Sequence, residues 1–307
     1  GAFRFENDAL KNGKIDLLFE EAAVNDNHNG RTQTERVRGM EGIVRHAYTA
    51  NPECDVVVMH FAEPGKTASY AKGKTPDVIV AHDKVTAHYN VPTLNLAREV
   101  FDRLEAKQFD WAKDFRNLHP SPFGQTLYYH AIRRMLEDAW GTPEAPKPVP
   151  ANIASRPLPK TMLDPQSYTK GKFVPLSAST KLNGFTIVPK WKAPRGGKHR
   201  SGFVDVPFLS ATKPGSSFSL EFTGRAIGFF MVCGPDAGII EYRIDGGEWK
   251  SRNSFTRWSR GLNIPWALIL DADLKAGKHV LDVRLSAKKG KQSKGTALHI
   301  RNFLVNG

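Results

Sequence analysis

The sequence predicts two structural classes in one chain: a three-layer α/β half with a mainly parallel sheet, followed by an antiparallel β-sandwich. Three observations carry this reading. In the first half, short apolar runs entered from an Asp alternate with stretches of helical spacing. After Gly141, proline recurs every two or three residues and no apolar periodicity survives. Beyond that run, short alternating segments succeed one another between turn residues. The boundaries read as 1–140 for the α/β part, 141–165 for a stiff Pro-rich linker and 166–307 for the sandwich.

Each element has its own signal. Ile15 to Val24 and Cys54 to Ala62 are buried parallel strands by their length and apolar content. Between them, Val37, Met40, Val44 and Ala47 recur at helical spacing, with Arg and Glu on the other face. A second helix carries Val78, Val80, Val85 and His88 near one side. The segment "VPTLNLA" is a third short strand, "REVFDRLEAKQ" a helix, and "GQTLYYHAIRRMLEDAW" an amphipathic helix that closes this half. About seven strands come next, from "GFTIVPKW" to "TALHIRNFLVNG", and the Gly-Gly of "IDGGEW" marks a hairpin.

Composition narrows the function classes. Hydrophobic residues make up 40% and charged residues 24%, with no apolar run long enough to span a bilayer, so no membrane partner is expected. The start of the chain has neither an initiator Met nor the basic-then-apolar order of a signal peptide, which implies a mature, trimmed or truncated chain. Cys54 and Cys233 lie far apart in apolar runs and read as buried thiols. The net charge of +13 concentrates in "PKWKAPRGGKHR" (Pro189 to Arg200) and "SAKKGKQSKG" (Ser286 to Gly295). These are solvated hairpin tips or a surface for a polyanion such as an acidic or sulfated polysaccharide. Nucleic acid comes second, because zinc-finger, RNP-type and helix-turn-helix patterns are missing from the sequence.

Two polar clusters could carry chemistry. "AAVNDNHNG" comes directly after the first strand, where open α/β sheets place their sites, and Asn25 and Asp26 either make a turn or point into a crevice. "DFRNLHPSPFGQ" holds His119 in rigid backbone just before the closing helix. Together they read as a hydrolase in which an amide stabilises an oxyanion and an imidazole serves as general base. His28, His60 and Glu63 lie just after strand ends, but their spacing matches no metal motif, and neither metal nor cofactor is expected. Of the Trp residues, Trp249 and Trp258 stand among Lys250, Arg252, Arg257 and Arg260 and are the candidates for sugar stacking rather than core filling.

The motifs "AAVND", "HYNVPTLNLA" and "LHPSPFGQTLYYHAI" resemble the third block, the strand before the last block, and the fifth block of the SGNH (GDSL-type) hydrolases. The resemblance covers about the first half of the chain. It implies a flavodoxin-like three-layer domain and a serine esterase, with Asn25 as oxyanion-hole amide and His119 as the base that activates the serine. The family's Gly-Asp-Ser block and its second-block Gly do not occur in these residues. "GAFRFENDALKNG" resembles the segment directly after the second block, so the chain is expected to start inside the catalytic domain, without the first strands and inactive alone. The Asp that the family places three residues before its His is Arg116 here. Asp114 or a Ser-His dyad would orient the imidazole. Ser121 reads as a helix cap.

Carbohydrate esterases of this type often carry such a sandwich. The resemblance therefore implies an accessory sugar-binding or substrate-framing module, in a secreted or periplasmic protein that deacetylates an acetylated polysaccharide or oligosaccharide, neutral or anionic. A non-catalytic glycan-binding protein using the basic, Trp-rich sandwich is the alternative, and a phospholipid or thioester hydrolase of the same family a third.

Overall fold

The computed structural model describes residues 1–150, 152–194 and 197–307. Ala151 of the Pro-rich run, and Arg195 and Gly196 of the first basic run, lie outside the described residues. The chain divides into two compact units, Gly1–Thr169 and Lys170–Gly307.

Unit 1 is built on a parallel sheet of β1 (Leu17–Glu20), β2 (Asp55–Met59) and β3 (Thr93–Leu94), in that order. β1 pairs in parallel with β2 from Leu17↔Asp55 to Glu20↔Val58, and β2 with β3 at Val58↔Thr93 and Met59↔Leu94. Val56 to Met59 are all buried, so alternate side chains of β2 meet apolar cover on both faces, as an all-apolar run requires. The expected first strand is shorter than Ile15 to Val24. After Glu20 the chain turns into helix α1 (Ala23–His28), which lifts Asn25 off the strand. The other helices are α2 (Gln33–Ala50), α3 (Pro64–Tyr70), α4 (Asp77–Tyr89), α5 (Leu96–Glu105) and α6 (Pro122–Trp140). Thr32 and Glu35 form a reciprocal capping box at α2.

Two helix faces differ from the sequence reading. On α4 the buried stripe is Val78, Ile79, His82, Val85, Thr86 and Tyr89. Val80 faces solvent and His88 instead meets the carbonyl of Thr161, because the stripe is rotated by one residue and takes in a polar His. On α2, Met40, Val44 and Ala47 are buried as expected, but so are Arg36, Arg38, Glu41 and His46. His46 is covered by the start of the chain, where Phe5 stacks on its ring at 5.8 Å, and Arg38 and Glu41 by the segment expected to be a linker. After a short ladder of β4 (Gly141–Thr142) and β5 (Ala145–Pro146), residues 156–168 return to unit 1 and lie over its helices. Glu41, fully buried, accepts hydrogen bonds from Tyr89 Oη (2.7 Å), the Leu163 and Asp164 amides (2.7 and 3.2 Å) and Ser167 Oγ (2.5 Å). Arg38 pairs with Asp164 at 2.8 Å, and Arg156 with Asp55. Proline removes amide donors and stiffens this strap, and the strap's own N–H groups then dock on one carboxylate.

Unit 2 is a sandwich whose strands run from β6 (Gly171–Val174), β7 (Ser179–Asn183), β8 (Thr186–Trp191) and β9 (Val206–Ala211) through β10 (Ser217–Gly224) and β11 (Ala226–Cys233). They continue as β12 (Ile239–Ile244), β13 (Lys250–Asn253), β14 (Ile264–Asp271), β15 (Gly277–Leu285) and β16 (Leu298–Asn306). One sheet has the order β13-β12-β15-β10-β7; the other is β14-β11-β16-β9-β8, with β6 also on β16. Phe218, Phe229 and Phe303 meet between them in a core with Leu220, Leu281 and Ile300. β14 escapes the sequence reading because Pro265 interrupts its pattern. It is an edge strand, where a missing donor costs nothing in the ladder. The hairpin expected at the Gly-Gly turns one residue earlier, at Asp245 and Gly246, both with positive φ (53° and 70°), and the Gly247 amide closes the turn on the Ile244 carbonyl at 3.0 Å.

Candidate active site

The site begins at the carboxyl ends of β1 and β2. Glu21 ties them: its Oε1 accepts the Val24 amide at 3.1 Å and the Phe61 amide at 3.4 Å. Burial pushes the Glu21 carboxyl up, and the field of Lys66 works against that shift. Lys66 is itself only 1% exposed. Its Nζ donates to the Phe61 carbonyl at 2.7 Å, and burial lowers its pKa while Glu21 and Glu63 raise it.

The polar knot after β1 resolves residue by residue. Asp26 Oδ2 meets His82 Nε2 of α4 at 3.2 Å. Asn27 Nδ2 donates to Glu63 Oε1 at 3.1 Å, and His28 Nε2 stands 3.5 Å from Glu63 Oε2. Glu63 is 2% exposed and caps α3 by accepting the Gly65 amide at 3.1 Å. Asn25 is exposed, and it alone of the four has a side-chain amide with no hydrogen-bond partner among the described residues. Three side chains thus fix the short helix and present the fourth.

His119 is presented by a different device. A π-helical turn, Trp111–Phe115, is closed by Asp110, which accepts the Lys113 amide at 2.8 Å. Arg116 comes next at φ 80°, ψ −66°, and the Asn117 amide reaches the Phe115 carbonyl at 3.3 Å, a γ-turn of the strained, positive-φ kind. Ser121 caps α6, accepts the Gly124 amide and donates to the Asp114 carbonyl. A Cβ on Gly124 would stand 2.6 Å from Pro120 Cβ and 2.8 Å from the Phe115 ring, so the His-Pro loop packs onto α6 only over a glycine. His119 itself is exposed, its backbone N–H donating to Asn117 Oδ1 at 2.7 Å. The Asp114 carboxylate accepts the Asp110 amide at 2.7 Å, a clamp within the turn.

Both devices are fastened to one segment, Phe61–Glu63. Tyr128 of α6 accepts the Ala62 amide on its phenolic oxygen at 2.8 Å, and its ring stacks on Phe61 at 4.9 Å. Asn27 and His28 meet Glu63 in the same segment. Asn25 and His119 therefore stand on elements anchored at the carboxyl end of β2, although they are 94 positions apart in sequence. Glu21, Lys66 and His82 escape the sequence reading, and Glu63, weighed there only as a metal ligand, acts instead as the anchor of α1 and the cap of α3. The Glu-Pro pair at the start of α3 is the one local cue, since it combines a capping acid with Pro at the first helical position.

His28 and Glu63 belong to this network, and His60 Nε2 meets Asp83 at 2.9 Å instead. Among the described residues no group of three or more His, Cys, Asp or Glu is arranged to hold a metal ion, and no helix is long and apolar enough to cross a membrane. Both cysteines are buried and free.

In unit 2, Trp249 is 38% exposed and Trp258 42%, whereas Trp191 is buried and Trp266 packs against the core. Trp249 lies against the guanidinium groups of Arg243 and Arg284, at 4.9 and 4.0 Å, each held by a carboxylate of the same sheet face. Trp258 is covered by Arg257 at 4.4 Å. The two do not share a site: β13 separates the β12–β13 turn that carries Trp249 from the loop that carries Trp258.

Comparison of the sequence with known protein families gives no match, and comparison with curated proteins gives none. Among solved structures, a two-domain esterase active on acetylated mannans, co-crystallised with mannopentaose, matches with a TM-score of 0.73 at 20% identity. A second structure of a two-domain esterase active on acetylated mannans matches with the same TM-score at 19% identity. Each match covers 100% of this chain and 76% of the other. At such identity the likeness establishes a shared fold.

Proposed function

We propose that this chain carries much of a serine esterase of SGNH type, with a flavodoxin-like catalytic domain, that removes acetyl groups from a polysaccharide. The observation that carries the reading is the fastening of an exposed Asn and an exposed His to one strand end of a parallel sheet. Fold similarity to an acetyl-mannan esterase supports the substrate class. The serine would come from the family's first block, which these 307 residues do not include.

In the reaction, the serine hydroxyl attacks the acetyl carbonyl while His119 takes its proton. The Asn25 amide donates to the oxyanion of the tetrahedral intermediate. Collapse expels the sugar alkoxide, which recovers the proton from His119. Water, deprotonated by His119, then hydrolyses the acetyl-enzyme and frees the serine and acetate. Asp114 is bound within its own turn, so a backbone carbonyl or a dyad arrangement is the better orienter of His119. By the same family resemblance, the protein would act in the periplasm or outside the cell. The test is acetate release from acetylated mannan and acetylated xylan by the polypeptide extended with its upstream coding sequence, beside its His119→Ala variant. Release that disappears in the variant supports the esterase. No release from either, with retention on immobilised glycan, supports the alternative of a glycan-binding protein using Trp249 or Trp258.

A further inference from the structure

The two basic runs of unit 2 are almost ninety positions apart in sequence, and the fold brings them to one end of the sandwich. Asn263, just before β14, donates through its backbone N–H and its side-chain amide to the Lys198 carbonyl, at 2.7 and 3.1 Å. That joins the β8–β9 loop to the loop bearing Arg257 and Arg260. Gly290 packs against Asn253 so closely that a Cβ there would stand 2.9 Å from the Asn253 amide nitrogen, which joins the β15–β16 loop to the end of β13. The Lys294 amide reaches the Pro235 carbonyl at 2.7 Å and adds the end of β11. Three loops thus meet at this end.

Their charge is predominantly positive: the β8–β9 loop holds one acid, Asp205, which faces Lys192 at 3.9 Å, and the other two loops hold none. Residues 286–297 contain Lys288, Lys289, Lys291 and Lys294 and no acid, and residues 254–263 contain Arg257 and Arg260 and no acid. All six side chains are exposed, as are Lys198 and Arg200. On the sheet itself three cations are paired, Arg243 with Asp282, Arg284 with Glu241 and Lys250 with Asp271. Among the described residues, no carboxylate lies within salt-bridge distance of Lys288, Lys289, Lys291, Lys294, Arg260, Lys198 or Arg200. A cavity of about 280 Å³ opens between the loops, lined by Asn253, Phe255, Arg257, Lys291 and Gln292 among others, with no acid in its wall.

We propose that this end of unit 2 binds a polysaccharide bearing carboxylate or sulfate groups, with one charged sugar ring seated in the cavity against Phe255 and between Arg257 and Lys291. Uncompensated cations at the ends of three loops attract a polyanion and hold it by ion pairing. The cavity takes one ring, and Phe255 gives it an apolar wall. A single exposed Trp covered by Arg257 offers no succession of stacking platforms for nucleic-acid bases, and among the described residues no helix or ribbon projects here to enter a groove. The site goes beyond the esterase reading, because it needs no catalytic group and is read by binding alone.

Titrations of the whole chain with sodium polygalacturonate and with dextran sulfate at low salt, and with neutral galactomannan, test it. The K288Q/K289Q/K291Q/K294Q variant is compared with K11Q/K14Q/K72Q/K74Q, which removes the same charge from unit 1. The expected result is that the unit 1 variant binds like the parent, while the unit 2 variant binds the preferred polyanion on the order of tenfold more weakly and with a shallower salt dependence. Which polyanion binds more tightly separates carboxylate from sulfate recognition. Equal weakening in both variants would reduce the effect to net charge and overturn the site. So would undiminished binding in the unit 2 variant, or tighter binding of a DNA duplex at matched charge. Any of these leaves the esterase reading where it stands, since no ester is cleaved.

Discussion

Glu63→Ala is the perturbation with the widest reach in unit 1, because one buried carboxylate performs three tasks. It caps α3 through the Gly65 amide, holds Asn27 and His28 of α1, and supports the charge of Lys66. Loss of the cap costs about 1 kcal/mol. Asn27 is exposed and recovers its hydrogen bond from water, and His28 Nε2 meets Glu63 only as a 3.5 Å contact, so their share is small, about 0.5 kcal/mol together. Lys66 is the larger matter: only 1% exposed and bonded to the Phe61 carbonyl, it would lose the field of one nearby carboxylate and keep that of Glu21, at a cost of about 1–3 kcal/mol, less than for a directly paired buried charge. The total is about 3 kcal/mol, or about 6–12 °C in the unfolding midpoint of a unit of this size. Glu63→Gln keeps an acceptor oxygen for the cap and should lose about half as much. Urea unfolding of both variants, monitored by tryptophan fluorescence and far-UV circular dichroism, measures the difference. Equal stability of Glu63→Ala and the parent, within about 0.5 kcal/mol, would refute the assignment of Glu63 as the hub.

Other consequences can be measured separately. Arg116→Gly should stabilise unit 1 by about 1 kcal/mol in the same assay, because glycine removes the strain of φ 80° at an exposed position. Gly124→Ala should destabilise it by about 1–2 kcal/mol, since the added methyl meets Pro120 and Phe115 and the gain in helix propensity is smaller than that clash. Glu21 and Lys66 set opposite pH slopes. Burial raises Glu21, so its ionised form costs native stability, and the cost fades as pH falls through the folded value toward the ordinary 4.5. Burial lowers Lys66, so its charged form costs native stability, and that cost fades as pH climbs from the folded value toward 10.5. Glu21→Gln should flatten the first slope and Lys66→Met the second, as read from unfolding midpoints against pH. The two buried cysteines, with pKa values pushed up by burial, should react with a thiol reagent only on unfolding.

Much of this architecture is legible in the sequence because each clear element has one dominant local signal. The apolar run at Val56 to Met59 is buried on both faces, and "IDGGEW" turns where consecutive positive-φ residues allow it. Where the reading departs, the deciding contact comes from far along the chain. The polar face of α2 is buried because Glu41 receives a strap more than 120 residues away, which no local pattern announces. The stripe of α4 includes His82 because Asp26 awaits it, and a polar residue at a core position is invisible to periodicity. The same holds for the candidate site. Asn25 and His119 are readable as motif residues, while the groups that hold them, Glu63 and Tyr128, are recognisable only once β2 has brought its end between them.

If Asn25 and His119 act on one ester, their variants must report it together. Hydrolysis of p-nitrophenyl acetate is measured for the upstream-extended polypeptide, its two single variants and the double variant. Asn25→Ala is expected to keep its stability, since the side chain is exposed, and to lose activity on the order of 10²–10³-fold. His119→Ala should fall to the uncatalysed background, and the double variant should be no slower than His119→Ala, as for groups that work as a unit. Parental rates in both single variants would contradict a shared catalytic role and leave the chain as a binding protein on an esterase fold.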